Sequence, residues 1–411
     1  MKGRGLDILF CTHEPLLPLS GGCTIGNLRL VQGFARRGHR VRVLSPLNLP
    51  LAEAQAQVPG VELSPFQPWR MGRSISLRFP KYLAYAALYG GALDRAIAAR
   101  RPGVLMVRNA VLAWPVARAA QRHGIPALLS CTDLLSELQA SDKRVPAPVI
   151  AALRAFERRI PRRFDAVSAI SVPLGRQLLD AGLPVAKLGI SLDGADPAYF
   201  RPNAVSAAER QRRRRGLGLR PGQRLALFHG TVEAHHGAAS LPGLLKRAQA
   251  QAPGLRFLLI AGGPGAAALA QAVKGLAWVS LLPFQAPQEV GRWAACADVG
   301  FVPYPPSAGL DLVFTLKLLE YFAAGLPAVS YRLAAAQAEF RSPAYRVAAD
   351  EAGFVAALDA LSRRRGDPRL RAKVLKEFTW DAVGRRLEQQ LLGLAGSRPS
   401  AAMQRGDHER P

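Results

Sequence analysis

Cysteine is scarce in this chain: Cys11, Cys23, Cys131 and Cys296 lie far apart in 411 residues, with no Cys-x-x-Cys pair. That spacing argues against a disulfide framework or a zinc cage and fits a reducing compartment. Long apolar runs are missing too. The longest candidate, Tyr82 to Leu93, falls well short of the roughly 18 or more residues that a membrane-spanning helix needs. The N-terminal run Leu6–Cys11 is followed at once by His13-Glu14-Pro15 and is too short for a secretory h-region. The expectation is a soluble or peripheral protein in the cytoplasm. Acidic residues are few, 29 against 55 Lys and Arg, for a net charge of +26. Residues 1–190 hold 26 basic and 11 acidic side chains, and the rest hold 29 and 18, so the charge is denser in the first half. Such a balance points toward nucleic acid, phosphorylated ligands or an anionic membrane face. Plain solvated surface, rich in Arg, produces the same count.

The common nucleotide signatures are absent. The glycines after the first apolar run are Gly21, Gly22 and Gly26, and Cys23 stands where a dinucleotide fingerprint needs glycine. Gly26 leads into Asn27-Leu28, which excludes a P-loop. No zinc finger, RNP or helix-turn-helix pattern accompanies the basic residues, so nucleic acid is not an expected partner.

Apolar residues make up 49% of the chain and charged residues 20%, enough for a large buried core. Short β-type runs alternate with longer helical patterns. Leu6–Cys11, Arg40–Leu44, Val104–Val107 and Ala127–Ser130 read as strands, with helices over Ile25–Arg37 and Val111–His123 closed by Gly38 and Gly124. A second series follows: Arg224–Phe228, Phe257–Ala261, Val279–Leu282, Val299–Val302 and Ala328–Tyr331. Alternation of this kind predicts an α/β protein with two doubly wound, Rossmann-like domains facing a central cleft. The expected boundaries are a first domain over 1–195, a linker over 196–222, a second domain over 223–375, a helix over 376–395 that crosses back to the first domain, and a disordered tail over 396–411. Within the linker, Arg212-Arg213-Arg214-Arg215 reads as a solvated run.

Five blocks then resemble the GT-B-fold retaining glycosyltransferases of family four, the glycosyl transferases group 1. They are Ile8–Pro15 leading to Ser20-Gly21-Gly22 and Arg37-Gly38-His39-Arg40-Val41; Ser191–Asp196 with Phe200; Phe228-His229-Gly230-Thr231 with His236-Gly237; Leu316–Pro327; and Phe378-Thr379-Trp380. The blocks run in the family's order from residue 6 to about 390, and Leu316–Pro327 is the most specific of them. The resemblance implies an acceptor side in the first domain, a donor side in the second, and a nucleotide-diphosphate sugar as substrate, with no cofactor and no bound metal. No Asp-x-Asp pair occurs in the donor half.

Each part of such a donor asks for different chemistry. A carboxylate at a helix start can accept both ribose hydroxyls, at about 1.5–3 kcal/mol per charged hydrogen bond, and Glu320 stands where the family has that carboxylate. A diphosphate is held by backbone N–H groups at a helix N-terminus. Gly21 and Gly22 can supply these from the first domain, and the turn around Gly230 and Gly237, with Thr231 and His236 as further donor-binding candidates, from the second. Simple turn chemistry is the plainer alternative for these glycines. Lys317, one turn before Glu320, reaches a phosphate or the donor sugar, or else forms an ordinary ion pair with Glu320. The resemblance carries Asp133 over as a donor-sugar or acceptor contact. His13, just past the first strand, faces the acceptor hydroxyl together with Glu14, or is a satisfied loop histidine. Lys317, Asp133 and His13 are thus the catalytic candidates. His39, His123 and His235 read as structural or loop residues.

The chain also departs from the family. The earlier glutamate of the E-x7-E pair falls on Leu312, with Asp311 one residue off. Thr231 and His236 replace the usual phosphate-binding Arg and Lys, and Thr132 replaces a His before Asp133. A catalytically degenerate binding or scaffold subunit is therefore a second reading, and a GT-B-fold epimerase or hydrolase a third. The acid-free stretch over residues 69–82 holds Trp69, Arg70, Arg73, Arg78, Phe79 and Lys81. It reads as a docking surface for an anionic membrane, consistent with a glycan or lipid-linked acceptor at the inner face of the plasma membrane, or as a solvated helix and loop.

Overall fold

A computed structural model of the chain describes residues 5–68, 79–140, 145–233, 236–237 and 239–396. The membrane-docking stretch lies outside the described residues up to the helix that begins at Phe79, as do His235 and the tail from residue 397.

Thirteen strands occur among the described residues: β1 Asp7–Cys11, β2 Arg40–Ser45, β3 Val61–Pro65, β4 Val104–Arg108, β5 Ala127–Cys131, β6 Ala166–Ala169, β7 Leu188–Ile190, β8 Arg224–Thr231, β9 Leu255–Gly262, β10 Val279–Leu282, β11 Val299–Val302, β12 Ala328–Tyr331 and β13 Tyr345–Ala348. They form two sheets, in the orders β3-β2-β1-β4-β5-β6-β7 and β10-β9-β8-β11-β12-β13. Every pairing is parallel, as the alternating pattern implied. Helices cover both faces of each sheet, so Ile8–Cys11 and Leu225–Phe228 are buried along their whole length and show no polar alternation.

The order of each sheet reverses at its first strand. β1 pairs with β2 on one side and β4 on the other, and β8 pairs with β9 and β11. Connections leave the carboxyl ends of such strands in opposite directions and open a crevice there.

The Arg run corrects the expectation of a solvated segment. Residues Ala207–Gly216 form a helix, capped by Ser206 accepting from the Glu209 amide. One face of it docks on the second domain. Arg213 pairs with Glu289 at 2.5 Å and its guanidinium lies 4.9 Å from the Trp293 ring centroid, while Arg214 pairs with Asp298 at 2.8 Å. Only Arg212 and Arg215 of the four face water. His123 is likewise the last residue of the helix Ala113–His123, held by Asp94 at 2.8 Å, and not a loop residue.

At the other end of the chain, the helix Trp380–Gly396 packs against Gly22–Arg36. Val383, Leu387 and Leu391 are buried in the core around β1 and β2. Arg37 and His39 both reach Glu388, at 2.6 and 2.5 Å. The crossing runs past residue 194, where the Ala195 amide donates to the Phe378 carbonyl at 2.8 Å. A Cβ on Gly194 would stand 2.5 Å from the Trp380 nitrogen, so only glycine allows the two strands of chain to pass this closely.

Candidate active site

The carboxyl ends of the two sheets face each other across a cleft of about 500 Å³. All nine residues singled out from the sequence, His13, Gly21, Gly22, Asp133, Gly230, Thr231, His236, Lys317 and Glu320, line it.

The first wall starts where β1 ends. Thr12 Oγ1 accepts from the Glu14 amide and from Asn27 Nδ2, both at 3.2 Å, and so fixes the turn that carries His13 and Glu14. His13 is buried, and that burial lowers its pKa to about 4, only partly offset by a hydrogen bond with the Asn109 side chain. Asn109 itself sits at φ +64°, an uncommon conformation for a non-glycine residue. Glu14 is pushed the other way, to about 7, by burial and then by the Asp133 carboxylate, with Arg108 opposing.

The helix Gly22–Arg36 opens directly into the cleft. Thr24 Oγ1 takes the Ser20 and Gly21 amides at 2.9 and 3.2 Å, leaving the amides of the first turn to whatever enters. A Cβ on Gly22 would stand 2.9 Å from Leu316 Cδ1 on the opposite wall, so a side chain there would push the Leu316 side chain aside and fill the space before the helix start. Asp133 follows β5, accepts from the Thr132 hydroxyl at 3.1 Å, and has its pKa raised by burial.

The second wall is built on β8 and the helix Leu316–Ala323. Lys317 lies against Gly230, where a Cβ would come 2.7 Å from its Nζ. That Nζ hydrogen-bonds the Tyr304 hydroxyl, and the His236 ring stacks on the Tyr304 ring at 4.4 Å. Glu320 sits in the middle of its helix, not at its start, and lies 3.4 Å from His229 Nε2. Of the two readings of Lys317, the ordinary ion pair with Glu320 does not form: Nζ goes to Tyr304, and His229 Nε2 near Glu320 makes no hydrogen bond among the described residues. Burial pushes Glu320 up to about 8, with Lys317 opposing, and burial holds His229 well below its usual range.

Several residues in the cleft or just behind it escaped the sequence reading. Arg108 at the end of β4 is buried and bound to Asp193 at 2.7 Å, on the segment that joins the two domains. Glu157, on the helix Ala147–Arg159, accepts from the Leu135 and Ser136 amides at 2.6 and 3.2 Å and braces the loop that presents Asp133. Tyr304 and Glu233 also line the cleft. Asp311 does not replace the missing glutamate: it turns away to Arg332 and the Ala334 amide. The Leu312 carbonyl instead accepts from Ser171 Oγ at 2.6 Å, tying this segment to the first domain. Among the described residues, no three His, Cys, Asp or Glu side chains are grouped to hold a metal ion.

Residues 21–189 match the family profile described as a glycosyl transferase 4-like domain, and residues 223–364 match glycosyl transferases group 1. Among curated proteins, the chain is 31% identical over 156 residues to D-inositol 3-phosphate glycosyltransferase of Mycobacterium marinum, covering 35% of this chain and 30% of that protein. It is 27% identical over 228 residues to the Rhodococcus erythropolis protein of the same name, covering 52% and 48%. The chain thus spans between about a third and a half of these relatives' length. Among solved structures, Anabaena HepE in complex with UDP and glucose superimposes with a TM-score of 0.70 at 14% identity, covering 94% of this chain and 100% of that one. Sucrose-phosphate synthase from Thermosynechococcus elongatus superimposes with a TM-score of 0.73 at 17% identity, covering 95% and 99%. At such identities the likeness is one of fold.

Proposed function

From the premise that the chain belongs to the glycosyl transferases group 1 family and has the GT-B fold, we propose that it moves a sugar from a nucleoside-diphosphate donor to an acceptor held against the first domain. The observation that carries this reading is the convergence, in one cleft, of a free helix N-terminus from one wall with Lys317 and Glu320 from the other.

In this reading Glu320 accepts the ribose hydroxyls, and those O–H donors offset the burial that now disfavours its charge. The first-turn amides after Gly21 and the Lys317 ammonium stabilise the diphosphate as negative charge builds on the leaving oxygen. Gly230, Thr231 and His236 shape that end of the cleft. Asp133 contacts the sugar or the acceptor from the first wall. His13, held neutral near pH 7 by burial, hydrogen-bonds the acceptor hydroxyl, and a donor phosphate oxygen takes the proton. That geometry keeps the incoming and departing oxygens on one face of the sugar, hence retention of configuration, and requires neither a cofactor nor a metal.

A glycan or lipid-linked acceptor of cell-envelope polysaccharide synthesis, met by a cytoplasmic protein at the inner face of the plasma membrane, completes the proposal. No helix of the described residues is long and apolar enough to cross a membrane. Exposed Leu83 and Leu88 on the helix Phe79–Ala99, with exposed Trp114 on the helix packed against it, support a peripheral contact. The second reading, a non-catalytic binding subunit, is favoured by one observation: Leu312 and Asp311 leave the cleft without the first glutamate.

A thermal-shift screen of UDP, ADP and GDP, followed by a nucleoside-diphosphate release assay with the matching sugar nucleotides, tests the proposal. One diphosphate is expected to stabilise the protein, by about 2.7 kcal/mol at 100 times its Kd, and its sugar nucleotide to turn over. Binding without turnover across acceptors supports the binding subunit; no binding refutes both.

A further inference from the structure

We propose that Glu14 receives the acceptor and selects one that presents a hydroxyl or an ammonium group there over one that presents a phosphate or a carboxylate. This rests on the transferase reading and names the class of its acceptor. Glu14 is a built feature of the cleft: its backbone is locked by Thr12 Oγ1 at 3.2 Å and its side chain lines the cavity. The Oε2 atom is sealed from solvent and meets no hydrogen-bond partner among the described residues. A buried polar oxygen left in that state destabilises the fold unless a ligand or a water satisfies it. A carboxylate oxygen accepts only, so the missing partner is a donor.

The surroundings sharpen the choice. Asp133 and, from the opposite wall, Glu233 add their negative charge to that of Glu14. Among the described residues that line the first wall, the one positive side chain is Arg108, whose Nη2 is held by Asp193 at 2.7 Å while its Nε meets no partner; its single charge stands against the three carboxylates. An anionic group entering here would be a further like charge in a partly desolvated pocket, while an ammonium or a hydroxyl would fill the vacant acceptor. Burial and Asp133 push the Glu14 carboxyl up to about 7, so at pH 8 its charged form predominates and selection is strongest. Glu14 is also the main charge acting on Cys23 in the first turn of the helix, so a diphosphate at that helix start depends on Lys317 from the opposite wall to offset the same repulsion.

6-Amino-6-deoxyglucose, glucose and glucose 6-phosphate, which differ only in the charge of the group at C6, are titrated at pH 8 into wild type and Glu14→Gln by saturation-transfer NMR, with and without UDP. Wild type is expected to bind glucose 6-phosphate at least tenfold more weakly than 6-amino-6-deoxyglucose, with glucose between them. Glu14→Gln is expected to shrink that ratio at least fivefold, both with and without UDP. Equal or tighter binding of the phosphate, an unchanged ratio in the variant, or rejection of all three sugars overturns the proposal. A protein that keeps the charge order but ignores UDP and every other nucleoside diphosphate loses the donor reading alone.

Discussion

Replacing Glu320 by Gln removes a charge that the fold resists and the donor needs, so stability and binding should move in opposite directions. Its carboxyl is buried and pushed from an ordinary 4.5 up to about 8. At about 1.36 kcal/mol per pH unit, holding it ionised above pH 8 costs at most about 5 kcal/mol, and relaxation of the pocket reduces that to about 2 kcal/mol. The sign follows from proton binding. Between pH 4.5 and 8 the folded state holds a proton that the unfolded state releases, so the contribution of this group to stability declines as pH rises through that window. Glu320→Gln should therefore melt with wild type at pH 5 and above it at pH 8.5, by about 4–8 °C for a domain of this size. Nucleoside-diphosphate affinity should fall about tenfold or more, since charged hydrogen bonds to the ribose become neutral ones. Scanning calorimetry at both pH values and titration calorimetry supply the two numbers. Equal melting at pH 8.5, or unchanged affinity, would refute the reasoning.

Gly22→Val should press on Leu316 across the cleft and weaken diphosphate binding at least tenfold while leaving the circular dichroism spectrum intact; wild-type turnover in that variant would return Gly22 to a plain turn residue. Gly194→Ala should drive a methyl into the Thr379–Trp380 backbone and destabilise the return crossing by about 2 kcal/mol or more, seen as a lower midpoint in urea; an unchanged midpoint would contradict the close approach. Replacing Arg70, Arg73, Arg78 and Lys81 by Ser should release the protein from anionic vesicles in sedimentation, with nucleotide binding kept; equal pelleting would make that stretch a solvated surface.

Strands whose residues are apolar throughout, such as Ile8–Cys11 and Leu225–Phe228, were legible because burial on both faces leaves no other pattern. β3, β7 and β13 were not, because Val-Glu-Leu-Ser-Pro, Leu-Gly-Ile and Tyr-Arg-Val-Ala hold no unbroken apolar run to mark them. β6, Ala-Val-Ser-Ala, is internal but too short and small to stand out. Lys317 and Glu320 were legible through a local block. Arg108 was not, because its meaning comes from Asp193, 85 residues away. Glu157 was not legible either, because its partners, the Leu135 and Ser136 amides, lie more than twenty residues away in the chain. The Arg run misled for the same reason: Glu289 and Asp298 lie more than seventy residues further along.

Amide hydrogen exchange with and without the nucleoside diphosphate that binds tests the central claim most directly, because the donor is proposed to bridge the two walls. Protection should rise together at residues 21–24 of the first wall and at 229–231 and 316–320 of the second. Protection confined to one wall, or found only outside the cleft, would contradict it.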